Sequence, residues 1–103
     1  MSDKVELVAA AQVNADAGGI SFKSNYKFKT AAKNGTGAYE LTLDDKHDGH
    51  KLVIQLTANN LTGSEIQGSP GSSGDTRTIN ITNFNLAGDP ADTPFYILVY
   101  RIR

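Results

Sequence analysis

The chain reads as an all-β domain of the sandwich or barrel kind, and three observations predict it. Segment after segment alternates apolar and polar side chains at period two, the pattern of a strand with one buried and one wet face. Clusters of Gly, Asn, Asp and Pro punctuate those segments at short, regular intervals, as turns do. No stretch sets a capping residue before a lasting stripe of apolar side chains at 3.6-residue spacing, so no helix of ordinary length fits. At 103 residues the chain has room for a two-layer core and reads as one domain, residues 1–103.

The elements follow in order. Val5, Leu7, Ala9, Ala11 and Val13 share one parity and give way to Asn14-Ala15-Asp16-Ala17-Gly18-Gly19, a strand ending in a turn. Ile20, Phe22, Tyr26 and Phe28 lie on one parity opposite Lys23, Lys27 and Lys29, with Ser24 interrupting the apolar face. This predicts an amphipathic strand or bent strand pair with a basic outer face. Asn34-Gly35 is the strongest hairpin signal, since both residues accept the positive φ of a type I′ turn. Tyr39, Leu41 and Leu43 then face the core while Glu40 and Thr42 face out. Asp44-Asp45-Lys46-His47-Asp48-Gly49-His50 reads as a polar turn, followed by Leu52, Ile54 and Leu56 opposite Lys51, Gln55 and Thr57.

Residues 63–75 are dominated by Gly and Ser around Pro70, which predicts a flexible loop. Ile79 and Ile81 resume the alternation, but Phe84 and Leu86 change parity, which predicts a bulge or bend near Asn83. Gly88-Asp89-Pro90-Ala91-Asp92 is a turn that delivers Phe95-Tyr96-Ile97-Leu98-Val99-Tyr100. That last run is apolar at every position, so both of its faces are expected to be covered. In a chain this small, the second cover is expected to be another subunit. Tyr26, Phe28, Tyr39, Phe84 and Phe95 are expected in the core.

Composition narrows the function. Ten basic against eleven acidic residues give a formal net charge of -1, which provides no electrostatic footprint for nucleic acid. The absence of cysteine removes disulfides, thiolate nucleophiles and Cys-based zinc sites. No secretion signal and no apolar run of about 20 residues is visible, so a soluble chain made in the cytoplasm, with no membrane insertion, is expected.

Three pieces of sequence carry a resemblance. Gly35-Thr36-Gly37-Ala38-Tyr39-Glu40-Leu41-Thr42-Leu43 resembles a Gly-x-Gly-x-Tyr-x-apolar-x-apolar strand, and Gly88-Asp89-Pro90-Ala91-Asp92 leads into Phe95-Tyr96-Ile97-Leu98-Val99. With the opening strand closed by Asn14-Ala15-Asp16, their order is similar to that of the jelly-roll head domains of the tumour-necrosis-factor and complement-globular-head superfamily, especially short versions on phage and bacterial fibre-like proteins. The resemblance implies a jelly-roll β-sandwich forming a homotrimer, with the last strand near the threefold axis and end loops free to bind a receptor or glycan. The chain is shorter than most such heads and has no collagen-like or coiled-coil stalk.

Candidate chemistry is sparse. Asp45, His47, Asp48 and His50 combine ligand types that suit a divalent cation, but their spacing matches no established site and a solvated turn explains them better. Gly71-Ser72-Ser73-Gly74 does not fit the Gly-x-Ser-x-Gly elbow of hydrolases, and no phosphate-binding glycine loop is present. No catalytic residue and no cofactor is expected. Tyr96, Leu98, Tyr100 and Ile102 are the expected subunit interface, because tyrosine buries ring area while its hydroxyl finds a partner at the rim.

These readings predict a non-enzymatic trimeric head or decoration module, structural or receptor-binding, of a phage or bacterial particle such as a virion. Its partners are expected to be its own copies, with a host-surface glycan, a protein receptor or a larger particle beyond them. A carbohydrate-binding lectin on the same scaffold is the alternative, and a metal-dependent enzyme using His47 and His50 is the third reading.

Overall fold

The computed structural model describes residues 5–58, 65–70, 76–85 and 87–102. Eight strands run β1 (Val5–Asp16), β2 (Gly19–Tyr26), β3 (Phe28–Gly35), β4 (Ala38–His47), β5 (Leu52–Ala58), β6 (Glu65–Pro70), β7 (Thr76–Phe84) and β8 (Phe95–Ile102). They form two antiparallel four-stranded sheets, ordered β2-β1-β8-β5 and β3-β4-β7-β6. Among the described residues the one helical element is a 3-10 turn at Gly49–Lys51. The all-β sandwich expected from the alternation is the observed architecture. The first and last strands pair side by side, β1 and β2 share one sheet, and β3 and β4 share the other.

The core fills the space between the sheets. Ala9, Ala11, Val13, Ala15, Leu52, Phe95, Ile97 and Val99 enter from the first sheet, and Phe28, Tyr39, Leu41, Leu43, Ile79 and Ile81 from the second. Tyr39 and Phe95 meet across the layers with ring centroids 5.8 Å apart, within the range of favourable aromatic pairs.

Several sequence expectations are corrected, and bulges cause most of the corrections. Between Leu7 and Ala9 the β1–β8 register shifts by one residue. Because the side-chain period is two, that insertion turns Val5 and Leu7 to the outside while Ala9, Ala11 and Val13 stay inside. A second bulge, between Gln12 and Val13 in the β1–β2 pairing, leaves Phe22 core-facing and turns Tyr26 outward, so Tyr26 is a surface residue. Phe84 is half-buried, not a core residue.

The chain passes from the first sheet to the second at Lys27, whose φ of 70° bends the backbone. The Asn25 side chain closes this corner, accepting from the Phe28 amide at 3.0 Å and donating to the Phe28 carbonyl at 2.8 Å. The bent strand pair is thus present, with Lys23, Lys27 and Lys29 exposed.

Three further differences concern turns. The β3–β4 hairpin turns at Thr36-Gly37, where Gly37 takes φ 69°, and Gly35 pairs with Ala38, two residues beyond the Asn34-Gly35 signal. Asp44 to His47 extend β4 and are not part of a turn. Glu65–Pro70, expected within a flexible loop, forms β6 along β7; the rest of that stretch, 63–64 and 71–75, lies outside the described residues. An edge strand has one neighbour, so Gly68 and Pro70 are tolerated there. No bulge lies at Asn83 in the β6–β7 pairing: Asn83 occupies the next inward position after Ile81 and is fully buried.

Candidate functional site

The two outer faces of the sandwich differ sharply in chemistry. On the second sheet, cross-strand rows of Thr30, Thr42 and Thr78, and of Ala32, Glu40 and Asn80, present hydroxyl, amide and carboxylate groups to water. On the first sheet the rows are Gln12, Tyr96 and Thr57; Ala10, Leu98 and Gln55; and Leu7, Tyr100 and Val53, with Val5 opposite Ile102 at the end. This face is mainly apolar from one end of β8 to the other.

The register shift at Val8 adds to it. Val5 is 62% exposed, Leu7 45%, Val53 46%, Ile102 42% and Tyr96 38%, while Leu98 and Tyr100 are half-buried by their neighbours. The four residues expected at a subunit interface, Tyr96, Leu98, Tyr100 and Ile102, therefore fall on one outward face, opposite core-facing Phe95, Ile97 and Val99. Apolar residues scattered singly on a surface are ordinary, but a contiguous apolar patch marks an interaction site.

At one edge of this face lies a shallow hollow of about 390 Å³. Ala10, Leu98, Tyr26, Tyr96, Gln12 and Ser24 are among the residues that line it. Sequence reasoning missed the hollow because Tyr26 was assigned to the core; only the bulge in the β1–β2 pairing brings it beside Tyr96.

A polar cluster closes the end of the sandwich where β4 begins. Asp92 accepts from the Lys33 ammonium at 2.8 Å, the Tyr39 hydroxyl at 2.5 Å and the Gly37 amide at 2.9 Å. The Lys33 hydrogen bond, followed by those from Tyr39 and Gly37, holds the Asp92 carboxyl down at about 2. Burial, then the Asp92 carboxylate, pushes the Tyr39 hydroxyl up from its ordinary value. A Cβ on Gly37 would stand 2.5 Å from the Asn83 carbonyl oxygen and 2.8 Å from the Ala91 nitrogen, so the backbone itself approaches too closely for any side chain. The cluster joins two of the sequence pieces that carried the resemblance. Its donors and acceptors satisfy one another, and it acts as a structural clasp.

The histidine turn does not assemble into a ligand set. His50 turns back on Asp48, Nδ1 to Oδ1 at 3.0 Å, in the open, and His47 pairs with Thr76 at the end of β4. Among the described residues no three His, Asp or Glu side chains converge to hold a metal ion. The alternative set Asp45, His47, Asp48 and His50 is therefore not brought together.

No protein family, curated protein or solved structure matches this chain in sequence or in fold.

Proposed function

We infer that the chain is a non-enzymatic structural or receptor-binding module that works as a homo-oligomer, a trimer in the reading its sequence resemblance implies. The observation that carries this reading is the apolar outer face of the first sheet, set against the polar outer face of the second. A monomer would leave Val5, Leu7, Val53, Tyr96 and Ile102 in water, and covering them with another copy returns about 25 cal/mol per Å² of apolar surface removed from water. A net charge of -1 opposes that association only weakly. The phage or bacterial particle setting rests on the resemblance carried by the opening strand, Gly35–Leu43 and Gly88–Val99.

Light scattering behind a sizing column tests the reading on wild type and a Tyr96→Glu, Tyr100→Glu double variant. Wild type is expected at three times its 11.0 kDa chain mass, and the variant at one chain or aggregated. A monomeric wild type overturns the reading.

The hollow beside Tyr26 and Tyr96 favours a second reading, a glycan-binding module. Aromatic side chains suit the apolar faces of a sugar ring, and the Gln12 amide and Ser24 hydroxyl suit its hydroxyl groups. Binding on a glycan array that disappears in Tyr26→Ala would support it; unchanged binding in that variant would place any glycan elsewhere.

A further inference from the structure

A sandwich of two open sheets has four edge strands, and each exposes backbone groups that can pair with another chain. Three of these edges are guarded. β2 carries Lys23 at its bulge, β3 carries Lys29 and Lys33 together with two register irregularities, and β6 contains Gly68 and ends on Pro70. The fourth, β5, pairs only with β8 among the described residues. Its sequence, Leu52-Val53-Ile54-Gln55-Leu56-Thr57-Ala58, has no charge, no proline, no glycine and no bulge against its neighbour. The inward side chains Ile54 and Leu56 reach the core yet remain only partly covered, with Gly68 of β6 close against Leu56 from the second sheet.

The geometry points to β5 as a strand-addition edge whose partner is β5 of a second copy of this chain, paired antiparallel about Gln55. That register sets Ile54 against the partner's Leu56 on the inward face. It sets Val53 against the partner's Thr57 and Gln55 against the partner's Gln55 on the outward face. Antiparallel partners always share a face, so the inward apolar residues of each copy cover those of the other. A partner of different sequence would need the same uncharged, alternating pattern; a second copy has it by identity, and the twofold contact closes on itself. Pairing would join two first sheets into one of eight strands and make their apolar outer faces continuous through Val53, which neighbours Tyr100. This contact uses the edge of the first sheet and is separate from the face carrying Tyr96 and Tyr100.

The cysteine-free chain allows a direct test. Gln55→Cys and, as a control on the polar face, Asn80→Cys are treated at low concentration with a short bis-maleimide. Gln55→Cys is expected to give two-chain species at least about tenfold faster, since pairing holds the two thiols at high effective concentration. Gln55→Lys, which sets like charges opposite each other at the twofold axis, is expected to abolish pairing while each chain keeps the wild-type far-ultraviolet circular dichroism. Gln55→Cys crosslinking introduced into the Tyr96→Glu, Tyr100→Glu background separates the two contacts: it persists if only the face contact has failed. Equal crosslinking rates at positions 55 and 80, together with an unchanged mass for Gln55→Lys, would overturn the proposal.

Discussion

At the scale of single residues, Asp92 does more than any other polar side chain to fasten one end of the sandwich. Its carboxylate joins Lys33 on β3, Gly37 in the hairpin turn and Tyr39 on β4, and it lies three residues before β8. Asp92→Asn keeps the shape but loses the charge that holds Lys33, and is expected to cost about 1–3 kcal/mol at neutral pH. The folded-state value of about 2 lies below the ordinary 3.8. The carboxylate's contribution is therefore complete above the ordinary value and is lost as pH falls from there towards about 2. Urea unfolding of wild type and Asp92→Asn at several pH values checks this: the difference between them should shrink across that window, and a constant difference would contradict the assignment. Nothing in the local sequence singles out Asp92 from the neighbouring Asp89, because its three donors come from residues more than fifty positions away.

At the scale of elements, the alternation identified β1, β4, β5, β7 and β8, left residues 20–29 as one strand or a bent pair, and missed β6, whose Gly, Ser and Pro content resembles a loop. A strand of poor intrinsic propensity persists there because β7 supplies hydrogen-bond partners from Glu65 to Pro70, which is tertiary context and not composition. In β8, Phe95 lies in the core as expected, and Ile97 and Val99 on the same side are fully buried. The two faces should respond differently to truncation. Ile97→Ala is expected to lower the stability of each chain by about 2–5 kcal/mol at every protein concentration. Leu98→Ala, on the outward face, should instead weaken association, so that its deficit against wild type grows as the protein is concentrated. Thermal melts over a hundredfold concentration range distinguish the two, and parallel behaviour of both variants would place Leu98 outside any interface. The parity argument failed where a single extra residue entered a ladder: Val5 and Leu7 share the parity of core-facing Ala9 yet lie on the surface, as does Tyr26, which was expected in the core. A bulge leaves little trace in a chain's own pattern, because it is defined by what the partner strand does.

At the scale of the whole molecule, pairing of the first strand with the last governs how the chain folds. β1 cannot complete its ladder until β8 is present, and β4 must wait for β7, more than thirty residues later. Such distant pairings carry a loop-closure cost before they are rewarded, so refolding is expected on the millisecond-to-second scale typical of all-β domains. Stopped-flow dilution from urea checks this, and complete recovery within microseconds would contradict the long-range pairing.

The sequence by itself determined the class of fold, most of the strands, the core between the sheets and the doubly apolar last strand, since each depends on a period of two that any strand imposes on its own residues. Tertiary structure decided which strands share a sheet, where the bulges turn a face over, and that Tyr26 and Tyr96 line one hollow. It also decided that Lys33, Gly37, Tyr39 and Asp92 form one clasp and that β5, among the described residues, pairs with β8 alone. These are relations between segments far apart in the chain, fixed by register and backbone pairing, and no local pattern of side chains encodes them.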